Sequence, residues 1–171
     1  MPRPPIALGP LPLGRAMVTR DGGVARCTPE RLFRLVAAVE EWPAHLPHYR
    51  WVRLTDRASD GGGIVEMAAW RPVPPVHVGW PTWWRSEMAV DATAMTVRFR
   101  HIGGITTGMD VEWALLPHAE GTEVRLLHVW DGPRWPLIGV VAATLVIGPV
   151  FVHEIAARTV AGLIRAAERG A

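Results

Sequence analysis

The chain has 171 residues, enough for one domain with a sizeable core, and 49% of them are apolar. Its net charge is only +2, and all 18 basic residues are scattered arginines. There is no basic stripe with aromatic platforms, so a nucleic-acid partner is not expected. The single cysteine, Cys27, excludes an internal disulfide and fits a reducing compartment, so a cytoplasmic location is expected.

Residues 1–16 carry five prolines, which block both helix and central strand. They read as a proline-rich arm, loose or packed on the surface, ahead of a single domain over 17–171. A strand over 17–27 ends at Cys27. Thr28-Pro29-Glu30 then opens a helix: a threonine cap, a proline suited to the first helical position, and an acid at the positive end of the dipole. Trp42-Pro43 closes it.

Further strands are expected at 48–57, 63–71, 82–91, 94–102, 107–117 and 121–131. Turn signals such as Gly61-Gly62-Gly63 and Gly103-Gly104 separate them. Residues 72–81 are too proline-rich for a ladder and read as a loop at the mouth of a cup. Residues 135–152 are uncharged, at the lower limit for a membrane span, but Pro136, Gly139, Gly148 and Pro149 interrupt them. A buried lid helix is the expectation, with peripheral contact to a bilayer through 135–152 as the alternative. A helix running to the C-terminus completes the chain.

Strand side chains alternate, so the apolar face of each strand identifies what points inward. That argument turns Trp84, Ser86 and Met88 inward from one strand and Phe99 and His101 from the next. Met109 and Trp113 follow, then Leu126 and His128, with Tyr49 contributed by the loop after the first helices. Asp110 and Glu112 are assigned to the solvent face. The inward set is mostly apolar with a few polar points, the make-up of a small-molecule site. His101 and His128 suit acid–base work near neutral pH, and Ser86 and Tyr49 suit binding of a carbonyl or hydroxyl. His45 and His48 have no acid or cysteine at ligand spacing, so no metal is expected. Gly61-Gly62-Gly63 is not followed by a phosphate-binding helix, so no nucleotide cofactor is expected either.

Four segments carry a family resemblance: VARCTPERLFRLVAAVEEWPAHLPHY, WWRSEMAVD, MDVEWALLP and GTEVRLLHVW. Over about residues 17–168 the chain resembles the START/Bet v 1-like (SRPBCC) superfamily, in the branch of polyketide cyclases and coenzyme Q-binding proteins. The resemblance implies an α+β helix-grip fold. In it, a curved antiparallel sheet wraps around a long C-terminal helix, two short helices follow the first strand, and a hydrophobic cavity lies within. Bacterial aromatase/cyclases are similar at Trp42-Pro43, at Tyr49, at Trp84-Arg85-Ser86 and at Trp113.

By that likeness the pocket would fold and dehydrate a poly-β-ketone delivered by an acyl carrier protein. Tyr49, Ser86, His101 and His128 would do the chemistry, and Trp42, Trp84, Met88, Phe99, Met109, Trp113 and Leu126 would shape the pocket. The chain departs from those cyclases where they carry two arginines: Met88 and His101 stand there instead. Polarising a carbonyl would then fall to His101 and His128. The same resemblance also implies an alternative, a non-catalytic carrier of a lipid or isoprenoid quinone.

Overall fold

The computed structural model describes residues 3–73, 78–133 and 152–169. Seven strands form one antiparallel sheet: β1 (Met17–Ala25), β2 (Tyr49–Arg57), β3 (Gly63–Val73), β4 (Val78–Asp91), β5 (Thr96–Gly104), β6 (Asp110–His118) and β7 (Gly121–Trp130). The order across the sheet is β1-β7-β6-β5-β4-β3-β2. Strands β2 to β7 form a meander of neighbours, while β1 joins the far edge by pairing with β7, from Met17↔Trp130 to Ala25↔Thr122. The chain therefore crosses the whole sheet between β1 and β2, and it does so in helices.

Helix α1 (Pro29–Ala37) starts as the sequence dictates: the Thr28 hydroxyl accepts from Arg31 N at 3.4 Å, and Pro29 occupies the first turn. Leu32, Phe33 and Val36 are its buried face. A 3-10 turn (Val39–Glu41) and a single α-turn, α2 (Trp42–His45), follow, and Trp42 is buried with its indole N–H donating to Leu35 O at 3.0 Å. Helix α3 (His153–Arg169) buries Ala156, Thr159, Val160, Gly162, Leu163 and Ala167. At Gly162 the approach of Leu46 is so close that a Cβ would lie 2.3 Å from its Cδ2, so a larger residue there would have to push the Leu46 side chain aside where α3 seats against the end of α2.

Burial alternates as expected: Val97, Phe99 and His101 in β5, Val111, Trp113 and Leu115 in β6, and Val124, Leu126, His128 and Trp130 in β7 face the helices and are buried. Bulges in β2 (Tyr49/Trp51 and Leu54/Asp56) and in β5 (at Ile102, opposite Arg85/Ser86) break the register; such bulges sharpen bending and twist of the strands that carry them.

Three expectations need correction. Residues 72–81 are not all loop: β3 runs to Val73 and β4 starts at Val78, paired Trp70↔Pro81, Pro72↔Gly79 and Val73↔Val78. These pairs lie beyond the last β2 partner (Tyr49↔Ala69) and beyond the last β5 partner (Trp84↔Gly104), and past the Trp70 amide, which donates to His48 O, they have no further strand beside them among the described residues. Proline is tolerated on an open edge because no ladder hydrogen bond is lost there. Second, β6 begins at Asp110, later than expected, because Thr106–Met109 turns, with Gly108 at φ 87.

Third, Asp110 is not on a solvent face: it is buried, although it points away from the helices. The proline-rich arm covers it. Arg3 pairs with Asp56 and its carbonyl accepts from Ser59 N, while Arg98 donates to Gly9 O and Arg100 to Leu8 O. Further along, Arg15 pairs with Asp131. Beneath this strap Asp110 Oδ1 lies 3.0 Å from Arg100 Nη2 and 4.0 Å from Arg98 Nη2, and Glu112 lies 3.3 Å from Arg98 Nε. The lid-helix expectation for 135–152 falls, apart from Val152, outside the described residues. Among the described residues no helix is long and apolar enough to cross a membrane.

Candidate functional site

Between the concave sheet face and α3 lies a cavity of about 70 Å³. Its walls come from α2 (Trp42), from β2 through β7 (Tyr49, Met67, Trp84, Phe99, Val111, Trp113, Leu126), and from the start of α3 (Val152, Ile155, Ala156). Met109 and four polar residues, His101, Thr106, His128 and Thr159, complete it. Among the described lining residues none carries a formal charge at pH 7 with neutral histidines.

The aromatic walls brace one another edge to face. Trp42 meets Tyr49 at 5.3 Å, Trp113 at 5.9 Å and Phe99 at 6.4 Å between ring centroids, and Tyr49 meets Trp84 at 6.0 Å. Such contacts fix ring positions as well as bury area. Trp84 in turn stacks on His101, 6.1 Å away and 15° from parallel.

Each polar group in this apolar space is matched to a hydroxyl. His101 Nδ1 lies 2.6 Å from Thr106 Oγ1, at the end of β5 and in the turn that follows it. His128 Nδ1 lies 3.2 Å from Thr19 Oγ1 on the neighbouring β1. Burial lowers the His128 pKa to about 4, so the ring is neutral at pH 7. Burial also pushes the Tyr49 phenol well above its ordinary value, only partly opposed by its hydrogen bond to Thr159, so it stays a protonated donor. Thr159 itself donates back to Ile155 O at 2.7 Å and meets His48 Nε2 at 3.0 Å.

Of the residues singled out from sequence, Trp42, Tyr49, Trp84, Phe99, His101, Met109, Trp113, Leu126 and His128 line this cavity. Ser86 and Met88 do not. Both are on the inner face and fully buried, but Ser86 sits in the ladder between Val65 and His101, and Met88 between Gly63 and Phe99. Alternation tells which face a strand residue takes and is silent on how far along the strand the cavity extends. The Ser86 hydroxyl is buried and has no hydrogen-bond partner among the described residues.

Thr106, Thr159 and Thr19 escaped the sequence reading because a threonine on an inward face looks like ordinary packing. Only their pairing with a histidine or tyrosine reveals them. His48, considered only as a metal ligand, takes part through Thr159. Among the described residues no group of three or more candidate ligands could hold a metal.

Residues 26–149 match the family described as polyketide cyclase / dehydrase and lipid transport. The chain belongs to that family. No curated protein sequence matches it. Among solved structures, TTHA0849 from Thermus thermophilus superposes with a TM-score of 0.74 at 21% identity, over 91% of this chain and 99% of that one. The Zhui aromatase/cyclase from Streptomyces sp. R1128 gives 0.73 at 14% identity, over 90% and 94%. A START superfamily protein from Mycobacterium smegmatis gives 0.63 at 13% identity, over 90% and 95%. At these identities the likeness speaks for fold: the chain has the helix-grip fold of the START/Bet v 1 superfamily. Together, family and fold make this a helix-grip protein for a hydrophobic ligand.

Proposed function

We propose that this family member acts as a polyketide cyclase/aromatase-like enzyme, closing and dehydrating a poly-β-ketone held by a carrier protein. The observation that carries this reading is the pairing of a protonated phenol with a neutral imidazole in one aromatic-walled cavity. Tyr49 supplies an acid and His128 a base, with His101 beside them. In an aldol closure, an imidazole nitrogen takes a proton from the acidic carbon between two carbonyls. The enolate carbon then forms a bond to a ketone carbon, and Tyr49 protonates the resulting alkoxide. In the dehydration, the base removes an α-proton and Tyr49 protonates the departing hydroxyl, which leaves as water. Thr19 holds the His128 Nδ1 side and so directs Nε2 toward this work.

The cavity volume is about 70 Å³, against roughly 30 Å³ for one water in the liquid. A polyketide guest therefore requires side chains to swing aside, and the flexible thioethers of Met67 and Met109 on the lining suit that role. The carrier reading is favoured by a different observation, the uncharged lining, with no arginine among its described residues.

Native mass spectrometry with organic extraction, followed by turnover of a carrier-bound polyketide mimic, separates the two. Cyclised product from wild type, lost in His101→Ala, His128→Ala and Tyr49→Phe variants that keep the native near-UV spectrum, supports the enzyme. A co-purified quinone or lipid with no turnover supports the carrier. Full activity in both histidine variants would overturn the acid–base roles.

A further inference from the structure

Outside the cavity, on the other side of α3, lies a surface groove of about 650 Å³ lined by His45, His48, Trp70, Arg158 and Arg165 among others. His48 lies in the turn that precedes β2 and belongs to the groove, while Tyr49, the first residue of β2, belongs to the cavity; their rings touch, 4.9 Å between centroids. Thr159 stands between them: it lines the same cavity as Tyr49, is itself buried, and its Oγ1 lies 3.0 Å from His48 Nε2. We infer that His48 and Thr159 form a proton path through the cavity wall, connecting groove water to the Tyr49 hydroxyl.

The chemistry closes. After Tyr49 has given its proton to a ligand oxygen, the Thr159 O–H proton moves to the phenolate oxygen. The His48 Nε2–H proton moves to Thr159 Oγ1, and a water in the groove gives a proton to His48 Nδ1, leaving a hydroxide in the open groove that takes up a proton from bulk solvent. The ring ends neutral, as the other tautomer. Thr159 has a resting partner for its own proton in Ile155 O, so one rotation of its hydroxyl opens or closes the path. His48 is held neutral, its pKa lowered to about 4 by burial first and by the nearby Arg158 second, so a lone pair is available at pH 7.

The inference rests on the reading of Tyr49 as an acid, and its test needs no substrate. Tyr49 is the only tyrosine, so protein labelled with ζ-13C tyrosine gives a single resonance. In mixed H2O and D2O, its isotope shift reports how fast the hydroxyl exchanges with solvent. Thr159→Val and His48→Gln are each expected to slow exchange on the order of tenfold. Thr159→Ser, which keeps the hydroxyl, restores it. Wild-type exchange in a folded His48→Gln protein would overturn the path, whatever becomes of Thr159→Val. Slowed exchange with no cyclase activity would leave the path standing and remove the cyclase reading, so the two fail separately.

Discussion

The two faces of the sheet bury polar groups by opposite means. On the concave face each polar ring meets a threonine hydroxyl, His101 with Thr106, His128 with Thr19 and Tyr49 with Thr159, and burial holds His128 and Tyr49 neutral. On the convex face, Arg98, Arg100, Asp110 and Glu112 remain ions, matched against one another beneath the proline-rich arm. A neutral imidazole keeps a lone pair free to take up a proton. An ion cluster holds shape and punishes any member's loss. The cavity side is thus suited to chemistry and the arm side to structure.

The largest effect should come from breaking the ion cluster. Asp110→Ala leaves two guanidinium groups beneath the arm with Glu112 as the remaining acid, and should cost about 3 kcal/mol in guanidinium chloride denaturation. Activity measured well below the denaturation midpoint should survive. Next comes pH. The His128 pKa is lowered from 6.5 to about 4 on folding, so the unfolded chain binds the proton more tightly. The stability contribution is complete above pH 6.5 and is lost as pH falls toward 4, with a drop of about 2 kcal/mol between pH 7.5 and pH 5. His48 titrates in the same direction and adds to it. Urea denaturation of wild type against His128→Phe at both pH values checks this; an unchanged pH dependence in the variant would remove His128 as its source.

A smaller effect tests the wall between groove and cavity. Gly162→Ala forces Leu46 aside and should cost about 1.5 kcal/mol by overpacking, with a lowered thermal midpoint. Smallest is Thr106→Val, which removes the hydroxyl beside His101 and should cost about 1 kcal/mol while leaving the convex face untouched.

The fold was legible because its signals are local. Thr28-Pro29-Glu30 marks a helix start whatever surrounds it, and alternation in β5 and β7 names the inward side without knowledge of neighbours. Depth was not legible. Ser86 and His101 are ladder partners on the same face, yet only one reaches the cavity, and Asp110 is buried by residues about a hundred positions earlier in the chain. The prolines of 72–81 misled for a related reason: they forbid a central strand, and whether a strand is central depends on the ends of β2 and β5. His48 reads from sequence only as a metal-ligand candidate because its partner, Thr159, lies 111 residues away.

The pairing of β1 with β7 also governs the order of events during synthesis. Met17 must wait for Trp130, so the first strand made is the last to find its partner, and the sheet cannot be completed until more than three quarters of the chain has left the ribosome. Contacts this distant in sequence make for slow folding. Until then β1 remains an unpaired strand, and the prolines of the arm beside it keep that arm from pairing as a strand with a neighbouring nascent chain.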